Sequence, residues 1–348
     1  MKVLRWWRVA VPIVLLGVAI SLIWWRGPDW GTVHDSFTVV RWPWVAAAVG
    51  LNLASVFVRS LAWNTTIKQA MPEPYPGYRL VFAAFAVGLF GNVVLPGRVG
   101  ELARVAVLTR RMPGRRGLWA TLVGTVFAHR VFDLFPVIAL IVWVLLAAKL
   151  PDWAGPSLIV ALCVGLVLFV FAWMSARRHQ TQHVEGVGTV RTMLTRVRFG
   201  LGVMREPIPA LTAGTFQFLG WLAQLAAVWA AMRAFHIYQP FAAAGLVLVL
   251  MNVATIFPLW PGNVGLVQAA IALPLKQYGV DYAHGFAFGI GLQAIEASVG
   301  VGIGVVFLAR EGISYAMLKE IPNATEDDHE PPVGPSGELP SAPARVSG

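Results

Sequence analysis

Charge is the scarcest thing in this chain. Only 13% of its 348 residues are Asp, Glu, Lys or Arg, against roughly 25% in soluble domains, and that shortage excludes a water-soluble fold with an ordinary surface. Cysteine is scarcer still. The one copy, Cys163, lies inside an apolar run, so no disulfide can close within the chain and a cysteine-based metal site is not expected. His34, His179 and His183 fall in predicted loops without ligand spacing, so neither a metal nor a cofactor is expected. No P-loop or comparable nucleotide motif occurs, and any transport would be passive or coupled to ions.

Apolar sequence takes the place of charge: 57% of the residues are hydrophobic and the mean hydropathy is +0.67. Runs at roughly 9–25, 44–64, 118–148, 155–176, 208–233 and 283–309 approach or exceed the ~20 residues that cross a ~30 Å hydrocarbon core. The first run follows Lys2, Arg5 and Arg8, as a signal peptide would, but ends in Trp24-Trp25-Arg26 with no small-residue cleavage site. It reads as a retained first helix. Two further segments, at about 79–110 and 241–276, each hold an apolar run, a Pro-Gly break and a second apolar run. Their halves are short for spanning but suit hairpins that enter the membrane and leave by the same side, which backbone tolerates only where protein or water covers it.

The formal net charge of +10 reads as basic loops facing anionic lipid rather than as a nucleic-acid surface. Sixteen bases, among them Lys68, Arg79, Arg110, Arg111, Arg177 and Arg310, fall on one predicted side, and only Arg26, Arg41, Lys149, Arg233 and Lys276 on the other. By the positive-inside rule the first side is cytoplasmic, as are both termini, in a bacterial-type inner membrane. Residues 177–207 form a basic segment with interfacial helical periodicity. From about Glu320 onward, Pro, Ser, Gly and acids predominate, which predicts a disordered tail.

The two Pro-Gly breaks are related. "LPGRVGELARV" at 95–105 aligns without gaps with "WPGNVGLVQAA" at 260–270, and downstream "HRVFDLF" sets Arg130 and Asp133 three apart as "LQAIEAS" sets Gln293 and Glu296. The offsets are 165 residues (95 to 260) and 163 (130 to 293). With three spans between them, the hairpins would open to opposite sides. The expectation is an all-α polytopic membrane protein with about six spanning helices plus two oppositely oriented re-entrant hairpins forming an inverted repeat. Pro96, Gly97, Gly100, Pro261, Gly262 and Gly265 are its expected hinges.

A half-helix N-terminus offers unpaired N–H groups and a positive dipole end, and Arg98 beside it would add a forked phosphate donor. Charged residues at mid-span cost ~2.5–3.5 kcal/mol on insertion scales and usually face the bundle interior. Arg59, Glu101, Arg104, Arg130, Asp133 and Glu296, with Asn263 and Gln268 at the second break, are therefore the candidate substrate-binding residues. No catalytic residue is assigned. The expected ligand is a phosphate-bearing amphiphile, head group in a polar cavity and tails in lipid.

At these residues the chain resembles the flippase-like membrane region of the lysylphosphatidylglycerol synthase family. The resemblance rests on "LPGRVGELARV", "HRVFDL", "FPLWPGNVGLVQAAIALPLKQYGV" and "AHGFAFGIGLQAIEASVGVGIG", and runs from about Phe82 to Leu308. It implies movement of a lipid between leaflets, with a phospholipid or polyprenyl-phosphate lipid as partner. The soluble domain that attaches the amino acid in that family has no counterpart in this sequence, so aminoacyl transfer is not implied. The second motif departs from the family pattern, with Gln268 where a Glu is usual and Gly262-Asn263 in place of Gly-Gly, so an acid–base or cation role is not carried to that half. The leading expectation is a lipid flippase or scramblase, with a homo-oligomer compatible with it. An intramembrane enzyme acting on lipid head groups and a scaffold of a lipid-synthesis complex are the alternatives. The sequence is read as one membrane domain, 1–319, followed by the tail, 320–348.

Overall fold

A computed structural model describes residues 27–71, 73–94, 100–112, 118–177, 206–256 and 263–311. Among them the regular structure is helical throughout. The expected span at 9–25, the basic segment, the tail, and the hinge residues Pro96, Gly97, Pro261 and Gly262 lie outside the described residues, as does Arg98.

Ten α-helices follow in order: α1 (Trp30–Thr38), α2 (Trp42–Ala70), α3 (Tyr78–Val94), α4 (Gly100–Arg111), α5 (Leu118–Ala147), α6 (Ala154–Arg177), α7 (Pro207–Ala234), α8 (Phe241–Ala254), α9 (Leu266–Leu275) and α10 (Tyr282–Glu311). Five of them, α2, α5, α6, α7 and α10, are long and apolar enough to cross a membrane. At ~1.5 Å per residue, α3 and α8 reach only about 25 and 21 Å, short of the hydrocarbon core. This is a multi-pass membrane protein.

Local chemistry explains the ends. Asp29 caps α1, accepting from the N–H groups of Gly31 at 3.1 Å and Thr32 at 3.3 Å and from the Thr32 hydroxyl at 2.6 Å. This short helix corrects the loop expected around His34, which is an exposed residue of α1; the Asp29 cap was its signal. Prolines open α2 and α7, where a missing N–H costs no hydrogen bond. In α4, Glu101 sits in the first turn and Arg110 and Arg111 in the last, all favoured by the helix dipole.

The helices bury two main apolar cores, one towards each end of the bundle. Trp63, Ile67, Leu108 and Leu122 centre the first, built from α3, α4, the start of α5 and the later parts of α2 and α10. Met232, Leu248, Ile271 and Phe288 centre the second, from α8, α9, the end of α7 and the early parts of α2 and α10. Thus α3–α4 packs at one end and α8–α9 at the other. The partners repeat: α3 lies on α4 and α10, α8 lies on α9 and α5, and α2 and α7 run against each other. Outward apolar residues such as Val160, Val167 and Phe171 on α6 remain exposed for lipid.

Candidate functional site

Glycine brings the first site together. A Cβ on Gly100 would run into the carbonyl oxygen of Gly88 and lie 2.6 Å from Asn92 Oδ1, so only glycine lets the start of α4 approach α3 this closely. From that start, Glu101 reaches two guanidiniums, those of Arg104 on its own helix and Arg130 on α5. Arg130 is twelve residues into α5, about 18 Å from its beginning. The N-terminus of α4 is therefore deep in the bundle, not at its rim.

Asp133 is the second anchor, and it is 7% exposed. One oxygen pairs with Arg59 Nη2 at 3.0 Å and accepts the indole N–H of Trp221 at 2.8 Å and the amide of Gln217. The other pairs with Arg130 Nη1 at 3.1 Å. Five helices thus converge on one charge network: α2, α4, α5 and α7, with α3 closing the wall. Arg104, 4% exposed, is packed face-on against Trp63 at 4.7 Å.

Arg59, Glu101, Arg104 and Arg130 line a cavity of about 160 Å³, shared with Asn92, His129 and Asn252. The lining holds three guanidiniums (Arg59, Arg104, Arg130) and one carboxylate (Glu101), and with Asp133, which pairs with Arg59 and Arg130 from outside the lining, the network carries +3 − 2 = +1. Several polar atoms of the lining are buried and unpaired within the protein: Arg59 Nε, Arg104 Nε, Asn92 Oδ1 and His129 Nδ1. Leaving a buried polar atom without a partner costs ~1–3 kcal/mol, so these atoms favour a polar occupant of the cavity, water or solute. The cavity's excess charge and donors suit an anion.

Of the expected binding residues, Arg59, Glu101, Arg104, Arg130 and Asp133 meet here. Glu296, on α10, is not among the lining residues; it accepts from the Gln224 amide at 2.9 Å and lies within electrostatic reach of Arg59. Asn263 and Gln268 do not join this cavity. The Asn263 amide donates to the Ala254 carbonyl at 2.9 Å, and Gln268 accepts from the Gly265 N–H at 2.5 Å while donating to Gln293 at 2.5 Å. Gly265 adopts φ 91°, a conformation only glycine takes without strain. His129 is buried edge-on to Phe85 at 5.8 Å and also lines the cavity.

Sequence reasoning missed Gln217, Trp221 and Gln224. The signal was present: two glutamines seven residues apart inside an apolar span are as exceptional as a charge there.

The sequence model of a family described as the lysylphosphatidylglycerol synthase transmembrane region matches residues 9–304. Among curated proteins, a UPF0104 membrane protein of Methanothermobacter thermautotrophicus is 24% identical over 298 residues, covering 78% of this chain and 85% of the relative. No solved structure matches.

Proposed function

The chain belongs to the lysylphosphatidylglycerol synthase transmembrane-region family, and from that membership and the cavity we propose a lipid flippase or scramblase that moves an anionic or polyprenyl-linked lipid between leaflets. One observation carries the reading: a cavity deep among the spans has a net positive wall and buried donors with no partner in the protein. A phosphate head group would supply the missing acceptors, and forked guanidiniums are the donors that match it. The half-helix N-terminus of α4 and the adjacent Arg98 would add to that attraction.

The same proposal reads about 79–110 and 241–276 as re-entrant hairpins of an inverted repeat. Two placements support it: Glu101 meets α5 about 18 Å from that helix's start, and Gln268 meets Gln293 about 16 Å along α10. Both α-hairpin breaks then lie in the interior, approached from opposite ends. The charge bias of the loops puts the end that holds Arg41, Lys149 and Arg233 away from the cytoplasm.

Leaflet exchange of head-group-labelled phospholipids in sealed proteoliposomes tests the function. Wild type should exchange the label, and Arg130→Ala and Glu101→Gln should slow exchange at least tenfold. Wild-type vesicles no faster than protein-free ones, across anionic, zwitterionic and polyprenyl-phosphate lipids, would sink the reading.

A further inference from the structure

One charged cluster takes no part in the central cavity. It lies where α7 finishes and α2 and α8 begin. The backbone N–H of Arg41 donates to the Ala234 carbonyl at 3.0 Å, which seats Arg41 beside Arg233 although 192 residues separate them (233 − 41). Both guanidiniums turn to Tyr238. Arg41 Nη1 donates to its hydroxyl at 3.3 Å, and the Arg233 guanidinium lies 5.1 Å from its ring centre and 4.6 Å from that of Trp229. His236 holds Tyr238 in place: Nε2 donates to the Val39 carbonyl at 2.8 Å, which leaves Nδ1 to accept from the Tyr238 hydroxyl at 3.3 Å. His236 does this at φ 58°, a conformation unfavourable for a side-chain-bearing residue.

Among the described residues, neither arginine pairs with a carboxylate, and Arg233 Nε is buried without a partner. Arg233 alone would be an ordinary cation at a helix C-terminus. Arg41 is not ordinary. It is the N-cap of α2, where a cation opposes the helix dipole. Two forked guanidiniums, gathered with no carboxylate partner among the described residues and with one buried Nε open, form the donor set that a phosphate completes.

The cluster is also joined to the central cavity. Gln217, Trp221, Leu225, Trp229 and Arg233 recur every fourth residue along one drifting face of α7, about 24 Å in length. The first two donate to Asp133. Trp221 and Leu225 then line an apolar groove of about 220 Å³ between α5, α7 and α8, floored by Pro136 and Phe241. Trp229 meets Phe241 at 6.2 Å beyond it, and Arg233 ends the row.

We infer that Arg41 and Arg233 bind the phosphate of an anionic phospholipid whose tail lies in the α5–α7–α8 groove, a second station on the path that leads to Asp133 and its arginines. The assignment of a path rests on the proposed function; the lipid site does not. Native mass spectrometry of the purified full chain, with phosphatidylglycerol or phosphatidylcholine added, reads the site directly, and vesicle exchange reads its use. The Arg41→Gln/Arg233→Gln double variant should lose one retained phosphatidylglycerol per chain, keep its phosphatidylcholine retention, and exchange phosphatidylglycerol about tenfold more slowly. The Arg41→Lys/Arg233→Lys pair keeps the charge and the fold and should recover at least half of both signals. Unchanged phosphatidylglycerol retention in the glutamine variant would overturn the site, as would loss in the lysine pair equal to that in the glutamine pair. Displacement of that lipid by millimolar inorganic phosphate would overturn the lipid assignment in favour of a free-anion site. If wild type exchanges no lipid while the glutamine pair still loses its phosphatidylglycerol, the transport reading fails and the lipid site stands.

Discussion

The two broken segments share a backbone device and differ in chemistry. Gly100 and Gly265 occupy matching places, 165 residues apart, and each lets a helix begin inside the bundle, one by permitting close approach and the other by taking a positive φ. Around the first stand Arg59, Arg130 and Asp133; at the corresponding offsets around the second stand Gln224, Gln293 and Glu296. The amides of the second half satisfy one another and the backbone, as Gln268 does with Gly265 and Gln293. The charges of the first half pair with each other and still leave buried donors open. Neutral amides in hydrocarbon need only hydrogen-bond partners, whereas charges need counter-ions and are costly to retain. Structural need alone would favour amides in both halves, and on the proposed function the charged half is the one that meets the lipid.

The largest test of that contrast is removal of one carboxylate from each half. Asp133→Ala leaves Arg59, Gln217 and Trp221 without their shared buried acceptor while Arg130 keeps Glu101, and should cost about 3–5 kcal/mol. Glu296→Ala removes one described hydrogen bond, from Gln224, and should cost about 1 kcal/mol. Denaturing-detergent titration of the two purified variants measures both, and equal losses would erase the asymmetry.

The glycines come next. Gly100→Ala drives a methyl group into backbone at Gly88 and Asn92, which cannot rotate away, and should cost about 3 kcal/mol. Gly265→Ala meets strain in φ alone, about 1–2 kcal/mol. Melting temperature in detergent should fall further for Gly100→Ala. The reverse order would mean that the first hairpin yields more easily than its close contacts imply.

Much of this was legible in the sequence. Five of the six apolar runs are, in the described residues, helices long and apolar enough to span, the two Pro-Gly-broken segments each hold a pair of shorter helices, and Arg59, Glu101, Arg104, Arg130 and Asp133, flagged as misplaced in lipid, join in one network. Membrane insertion makes that possible, because length and charge are constrained residue by residue. The partners were not legible. Nothing in spacing says that Asp133 draws Arg59 from 74 positions away and Trp221 from 88, since long-range pairing is decided by how helices pack. Nor did the repeat reveal where Asn263 and Gln268 would turn; their alignment with the first motif suggested binding, and their described hydrogen bonds run to Ala254, Gly265 and Gln293 around the second break.

The smallest effect is the sharpest discriminator. Gln268→Ala removes two hydrogen bonds of the second break, to Gly265 and Gln293, and should cost about 1–2 kcal/mol. Because its amide lies outside the charged cavity, leaflet exchange at a temperature where the variant is folded should stay within twofold of wild type. Glu101→Gln, by contrast, keeps the shape of the first break but unbalances Arg104 and Arg130, and should slow exchange at least tenfold. If Gln268→Ala slowed exchange as much as Glu101→Gln, the second hairpin would be part of the lipid path and its amides would be binding groups. If only Glu101→Gln did so, the second hairpin would serve as the frame against which the charged one works.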